Sequence, residues 1–340
     1  MYENFFGTLG SSWMGNDEKL YRSMVEFEKW FVYGIEPAGQ LLMNRSDRLF
    51  RLLPSIEDFV WTAIAGGASL SSAQAAETDC QMNISDKLVA HSHSIGRYLN
   101  LFPTEYYFSE AVMLLEHAVK ELGPKVMQSD EDDAGPIFNQ LVEKVVEAAS
   151  HSDFQKRKRA RERRSESMFA KSKDLIDKLL FEKKKIQVVQ VDLGYAIDIS
   201  ADIQLPEAKS DFSKFLNLMR SRRVLSSNIG YLWTAGYATY RGFYFRMFLF
   251  FDDDIGYGTA ALSHYVEDFW KSTITSGKGI AFPSDERVNP IMYAATGQID
   301  LNDNLRYRNL MLAMRYLAIK EMHITIRNRD SMRVFGHSKF

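Results

Sequence analysis

Residues 189–200, VQVDLGYAIDIS, alternate apolar side chains with polar or small ones without a break. A period of two places every apolar side chain on one face of a β-strand and the remaining side chains on the opposite face. The stretch therefore predicts a strand with one buried face. The apolar positions of this strand are Val189, Val191, Leu193, Tyr195, Ile197 and Ile199.

The sequence that follows predicts a sheet covered by helices. Apolar residues at helical spacing within 212–219 predict a helix, and the apolar runs around Tyr231 and at 243–251 (FYFRMFLFF) predict two strands that pair antiparallel. Helical spacing returns at 262–274 and at 310–317. We therefore expect an α+β domain over 186–340, in which a small antiparallel sheet has its helices segregated to one side.

The first half of the chain has a different composition. Apolar stripes at 20–31, 112–122 and 137–148 predict a helical domain over 1–153, and residues 1–155 carry 11 basic and 23 acidic side chains. Residues 156–185 carry 13 basic and 5 acidic side chains, which predicts a basic connecting helix over 154–185. A length of 340 residues fits this organisation, because domains usually span about 100–200 residues.

The basic segment opens with a dense cluster of cations that can neutralise several phosphates of a nucleic-acid backbone. Two other interpretations stay open: the cluster is a solvated face of the connecting helix, or it is a docking strip for the acidic first half. The predicted DNA-binding residues of the cluster are Lys156, Arg157, Lys158, Arg159, Arg161, Arg163 and Arg164.

Composition excludes several classes of protein. The chain has one cysteine, Cys80, which excludes an intramolecular disulfide and a cysteine-rich zinc site. No stretch approaches the roughly 18–20 apolar residues of a membrane span, and the N-terminal residues lack the pattern of a signal peptide. A formal net charge of −2 argues against a protein that binds polyanions through its overall charge. We expect a cytoplasmic bacterial protein without membrane partners.

From about Leu232 to the C-terminus, the features of the sequence follow a specific order. A strand with Trp233 is followed by GFYFRMFLFFDDD (242–254), HYVEDFWKSTITSGKG (264–279), NLMLAMRYLAIKE (309–321) and RVFGHSKF (333–340). This order resembles the inovirus replication-protein family, the filamentous-phage gene-two type, and its prophage relatives of the YagK/YfjJ kind. The resemblance implies an HUH- or RRM-like fold and a rolling-circle replication initiator that nicks single-stranded DNA through a tyrosine.

In that family two histidines, two residues apart on one strand, bind a divalent cation that polarises the scissile phosphate. This sequence has Tyr244 and Arg246 at those positions. A guanidinium keeps its proton and repels a metal, so we expect a degenerate site without a metal. Instead, Tyr244 and Arg246 are expected side by side on an exposed face of the sheet, where Arg246 contacts a phosphate of DNA.

The resemblance also places Tyr316 at the nucleophile-like position of a helix, with Lys320 one turn later on the same face. These two are the candidate catalytic residues. A tyrosine in an apolar helix is more often a core residue whose hydroxyl has a hydrogen-bond partner. The enzymatic status of the chain therefore stays open.

The leading interpretation is a DNA-binding protein of a phage, prophage or other mobile element that has lost metal-dependent nicking, with single-stranded DNA as its partner. One alternative is an active tyrosine nickase, and only that alternative requires Mg²⁺ or Mn²⁺. A second alternative is a non-catalytic regulatory protein, in phage defence or satellite control, whose acidic helical domain binds a protein partner. No cofactor is expected in the leading interpretation.

Overall fold

The computed structural model describes residues 45–71, 88, 106–123, 134–219, 221, 225–238, 241–283, 289–326 and 333–338. The chain divides into two compact units. Of the described residues, the helical unit comprises those within 45–164 together with 322–324, and the sheet unit comprises those within 165–321 and 325–338. The predicted helical stripe at 20–31 lies outside the described residues.

The helical unit is built from helices that each bury one apolar side. They are α1 (Arg45–Ser71), α2 (Glu110–Leu122), α3 (Ala134–Ser150) and the first part of α4 (Ser152–Lys183), with a short strand β1 (Tyr106–Phe108) before α2. Buried Phe59, Val112, Leu115 and Leu141 form part of its core. The structure confirms the helices predicted at 112–122 and 137–148. Helix α4 belongs to the helical unit up to Arg164 and to the sheet unit from Ser165.

The sheet unit alternates strands with helices. After α4 come β2 (Lys185–Tyr195), α5 (Ile197–Ser200), α6 (Leu205–Met219), β3 (Asn228–Ala238) and β4 (Gly242–Asp252). They are followed by α7 (Thr259–Asp268), a π-helix (Phe269–Ile274), β5 (Gly279–Pro283), α8 (Pro290–Ala294) and β6 (Gly297–Asp300). Helix α9 (Asn304–His323), β7 (Ile324–Ile326) and β8 (Phe335–His337) complete the order, and residues Met322–Ile324 at the junction of α9 and β7 belong to the helical unit.

The main sheet has the strand order β5-β2-β4-β3-β8, with β6 also pairing with β2, and the registered pairs are antiparallel. The structure thus confirms the α+β architecture and the antiparallel pairing of β3 with β4. The predicted strand at 189–200 ends earlier than expected, because residues Ile197–Ser200 form the short helix α5.

Both faces of the sheet are buried, which corrects the prediction of helices on one side only. On one face, Val191, Leu193, Phe245 and Met247 pack in a core with Phe212 and Phe215 of α6 and with residues of α7. On the other face, Phe248, Phe250 and Leu232 are fully buried. Helices α4 and α9 cover this face: Leu179 of α4 lies against Gly230, and Lys320 of α9 contacts Tyr244. The polar side of β2 is therefore interior, and its polar residues must find partners there.

Among the helices that the structure describes, none combines the length and the apolar character needed to cross a lipid bilayer.

Candidate nucleic-acid interface

Tyr244 and Arg246 do share one face of β4, as residues two apart on a strand must. That face is not exposed: Tyr244 is 4% and Arg246 2% accessible to solvent. The expectation of an exposed pair is therefore wrong. The reason is that β4 lies between β2 and β3 in the sheet, and helices cover both of its faces.

Arg246 forms a bidentate ion pair with Asp192 of the neighbouring strand β2. Its Nε donates to Asp192 Oδ1 at 2.9 Å and its Nη2 donates to Oδ2 at 3.0 Å. The side-chain amide of Gln190 donates a third hydrogen bond to Asp192 Oδ1 at 2.8 Å. Two parallel bonds are the strongest arrangement available to an arginine and a carboxylate, so the guanidinium already has an anionic partner inside the protein.

Asp192 was not among the residues that sequence reasoning selected. The sequence does contain a pattern that could have indicated it. Asp192 is an acidic residue within one predicted strand, and Arg246 is a basic residue within another, largely apolar, predicted strand. When two such strands pair in a sheet buried on both faces, opposite charges at opposing positions satisfy each other. The register places these two residues directly opposite one another.

The candidate catalytic residues separate into two contacts. Lys320 Nζ donates a hydrogen bond to the Tyr244 hydroxyl and lies 5.2 Å from the centroid of that ring. Tyr316 is fully buried, and its hydroxyl accepts a hydrogen bond from Asn289 Nδ2 at 3.2 Å. The structure therefore brings Tyr244, Arg246 and Lys320 to one side of the sheet. Tyr316 lies on a buried side of α9. A hydroxyl in that position is shielded from an external phosphate.

The described residues contain no group of three or more His, Cys, Asp or Glu side chains arranged to hold a metal ion. At the positions where the family resemblance implies imidazole ligands, a phenol and a guanidinium stand instead, and neither is a suitable ligand for a divalent cation at neutral pH.

The basic cluster of α4 separates into paired and unpaired cations. Arg161 is buried, its Nη1 donates to the Met322 carbonyl at 3.0 Å, and its Nε lies 3.7 Å from Glu110. Arg157 Nε also donates to Glu110, at 2.9 Å. Lys158 pairs with Glu162 at 3.0 Å. These three cations of the predicted DNA-binding cluster already have anionic or carbonyl partners within the helical unit.

The remaining cations form an exposed surface, which we call the α4 basic face and define as Lys156, Arg159, Arg163 and Arg164. Lys156 lies 3.6 Å from Asp153, and both side chains are exposed. Within the part of the chain that the structure describes, Arg159, Arg163 and Arg164 have no hydrogen bond and no ion pair. Arg159 and Arg163 are four residues apart, so they lie on one side of the helix, about 6 Å apart along its axis.

Comparison with known proteins gives one match. A family model described as YagK/YfjJ C-terminal domain matches residues 148–338, which is more than half of the chain. No curated protein and no solved structure matches. The YagK/YfjJ part of the resemblance is confirmed, and its extension to inovirus replication proteins and HUH nucleases has no support from these comparisons.

Proposed function

The chain belongs to the YagK/YfjJ C-terminal domain family, a prophage-associated family, and from this premise we propose that it is a DNA-binding protein of a prophage or related mobile element that does not nick DNA. The proposed ligand is single-stranded DNA. The proposed contact surface is the α4 basic face.

The exposed, unpaired arginines of this face are the observation that carries the proposal. A solvated linker helix usually neutralises its charges by pairs three or four residues apart, as Lys178 does with Asp174 further along α4. Arg159, Arg163 and Arg164 keep their guanidinium groups available over consecutive turns. Such a row binds phosphates by releasing the counterions of the nucleic acid, and the planar guanidinium matches the phosphate oxygens.

Two observations support a role without nicking. Attack on a phosphodiester needs a nucleophile that can approach the phosphorus atom, and Tyr316 is fully buried. Activation by a divalent metal needs suitable ligands, and Tyr244 and Arg246 occupy the positions that imidazoles would fill. We accordingly propose that the protein works without a cofactor. Mg²⁺ or Mn²⁺ becomes relevant only if nicking is observed.

The proposal is tested by fluorescence anisotropy with a labelled 30-nucleotide single strand. Reversing the charge of Arg159, Arg163 and Arg164 to Glu should weaken binding on the order of a hundredfold, because a carboxylate repels the phosphate that each guanidinium attracts. The matched control reverses three exposed cations of the sheet unit, Lys178, Lys271 and Arg308, and carries the same change in net charge.

Equal weakening in both variants would show that only total charge matters, and would overturn the assignment of the face. Absence of binding by the wild type would overturn DNA binding itself. The remaining candidate would then be a regulatory protein whose acidic segment 1–153 binds a protein partner, to be sought by co-purification from the host.

A further inference from the structure

A cavity of about 290 Å³ opens within the helical unit. Helix α1 contributes Glu57 and Trp61 to its wall, Ser109 caps the N-terminus of α2 beside it, and α4 contributes Lys158 and Arg161. His323 also lines it. This volume lies just below the usual range for small-molecule pockets, about 300–1,000 Å³, so it suits a group of one ring system.

An aromatic side chain forms one wall of the cavity. Trp61 is 37% exposed, although its neighbours Val60 and Ala63 on α1 are fully buried. The indole contacts the ring of Phe154, with 6.1 Å between centroids, and Lys158 Nζ lies 5.1 Å from its centroid. Because Lys158 Nζ lies over the indole, a second flat ring would stack on the part of the indole that the lysine leaves exposed and would remain close to its positive charge.

A hydrogen-bond acceptor lies in the same cavity. Glu57 is only 6% exposed, and its Oε1 accepts a hydrogen bond from Ser109 Oγ and lies 2.9 Å from His323 Nδ1. Both contacts involve Oε1, and the second oxygen, Oε2, is not one of the buried polar atoms that lack a partner among the described residues. A carboxylate accepts several hydrogen bonds, so Glu57 in the wall of the cavity can accept one more from a ligand that brings an N–H group.

The cavity and the α4 basic face share the same turns of one helix. Lys158 lines the cavity, and Arg159, the next residue, belongs to the basic face. A strand whose phosphates lie along the basic face can therefore turn one base around the side of α4 toward Trp61. Single-strand binding proteins commonly combine a cationic track with an aromatic side chain in this way.

We propose that the cavity binds one unpaired nucleobase of single-stranded DNA, which stacks on Trp61 and donates an N–H to Glu57 Oε2. This inference rests on the proposed function, since the α4 basic face holds the strand. The cavity selects a base with an exocyclic amino group, such as cytosine. Thymine presents carbonyl oxygens on both sides of its N–H, and these would face the carboxylate of Glu57.

Three variants of the full chain test the pocket against dC20 and dT20 single strands. Trp61→Ala should weaken binding of dC20 by roughly 5- to 150-fold, the range expected when one base no longer stacks. The dependence of affinity on salt should stay unchanged, because the phosphate contacts remain. Glu57→Gln should reduce the preference for dC20 over dT20. Tyr293→Ala, which removes an exposed aromatic side chain of the sheet unit, is the control and should change neither quantity.

Trp61→Phe keeps an aromatic surface, and it removes one of the five tryptophans of the chain. If a base stacks on Trp61, dC20 quenches the tryptophan fluorescence of the wild type, and this quenching is largely abolished in Trp61→Phe although the strand still binds. This measurement remains decisive if Trp61→Ala does not fold. Equal quenching in both proteins would overturn the proposal.

A free nucleotide offers the same base, so dCMP is tested alongside the oligonucleotides. Quenching by dCMP at concentrations as low as those of dC20 would show that the cavity serves a free nucleotide, and would overturn its role on a strand. A different result would separate the two proposals. If the change of Arg159, Arg163 and Arg164 to Glu greatly weakens binding while Trp61→Ala binds dC20 like the wild type, the proposal of a base pocket is overturned and the proposed function survives. If the wild type binds no single strand, both are overturned.

Discussion

Arg246 and Asp192 face each other across the paired strands β4 and β2, joined by two hydrogen bonds of 2.9 and 3.0 Å inside a sheet covered on both faces. We expected Arg246 to contact a phosphate of DNA from an exposed face of the sheet, and the structure gives it this internal partner instead. The pair gives the arginine an anionic partner inside the protein, so the guanidinium is not presented to an external phosphate.

The ion pair should behave as a buried one. Arg246→Met removes the bidentate partner of Asp192 and leaves this carboxylate only the charge of the nearby Arg241. It should lower the free energy of unfolding by about 3 kcal/mol, the lower end of the cost of breaking a buried ion pair. The double variant Asp192→Leu/Arg246→Met should recover part of this stability, because it removes the two paired charges together but takes the charge of Asp192 away from Arg241. Urea unfolding of Arg246→Met, of Asp192→Leu and of the double variant measures the coupling between the two residues. As a control, Lys278→Met breaks the exposed pair with Glu207 and should change stability far less. Equal destabilisation in the double and single variants would contradict the pairing.

Gly236 of β3 lies directly opposite Tyr244 of β4, and a Cβ atom at Gly236 would overlap Cζ of the tyrosine ring. Gly236→Ala should therefore displace Tyr244 from Lys320 and destabilise the protein by about 1–3 kcal/mol, a typical cost of overpacking. Thermal unfolding measures this cost. It should largely disappear in a Tyr244→Ala background, where the ring is absent. Gly258→Ala is the matched control, since nothing lies within 4 Å of a Cβ there.

Tyr316 should not form a covalent bond with DNA. Its side chain is fully buried and its hydroxyl accepts a hydrogen bond from Asn289, so the hydroxyl is not presented to an external phosphate. Incubation of the wild type and of Tyr316→Phe with labelled single-stranded DNA and Mn²⁺, followed by denaturing gels, should reveal no adduct in either protein. An adduct present in the wild type and absent in Tyr316→Phe would establish the nickase alternative.

Asp211 should make stability depend on pH. It accepts a hydrogen bond from the Tyr195 hydroxyl at 3.0 Å, and burial, the largest effect, raises the pKa of its carboxyl above the ordinary value. A carboxyl with a raised pKa holds its proton more firmly in the folded protein than in the unfolded chain. The contribution of Asp211 to the free energy of unfolding is therefore fully present at pH values below the pKa that its carboxyl has in the unfolded chain. This contribution is lost as the pH rises through the pKa that the carboxyl has in the folded protein.

Asp211→Asn keeps an oxygen that can accept from Tyr195 and removes the ionisation. Relative to the wild type, this variant should gain stability as the pH rises through the window just above the ordinary pKa of aspartate. Urea unfolding at several pH values measures the difference between the two proteins. A difference that stays constant with pH, or changes in the opposite direction, would contradict the assigned cause.

Local patterns of the sequence predict most elements of the fold and fewer of its contacts. The alternation from Val189 to Tyr195 predicts β2, and the run FYFRMFLFF predicts β4, because the period of a strand is local information. The same alternation suggests one exposed face, and this is wrong. Whether a second helical layer covers that face depends on α4 and α9, which lie before and after the strands in sequence. Residues such as Asp192 then acquire their role only through long-range pairing.

The candidate site shows the same limit. The density of cations at 156–164 is visible in the sequence, but their pairing is not. Arg157 and Arg161 approach Glu110, more than 45 residues away, and only the fold distinguishes them from the unpaired Arg159 and Arg163. Trp61 and Glu57 fall within an ordinary helical stripe, and nothing in their spacing indicates that they line a cavity together with residues of α4.

The most direct test of DNA binding by the α4 basic face is the salt dependence of affinity. The logarithm of the binding constant for a single strand is measured against the logarithm of the NaCl concentration, for the wild type and for the Arg159, Arg163 and Arg164 to Glu variant. Each phosphate that a cation neutralises contributes a slope of about −0.7 on single strands, so removing three such cations should make the slope shallower by about 2. Identical slopes in the two proteins, at measurable affinity, would contradict DNA binding by this face.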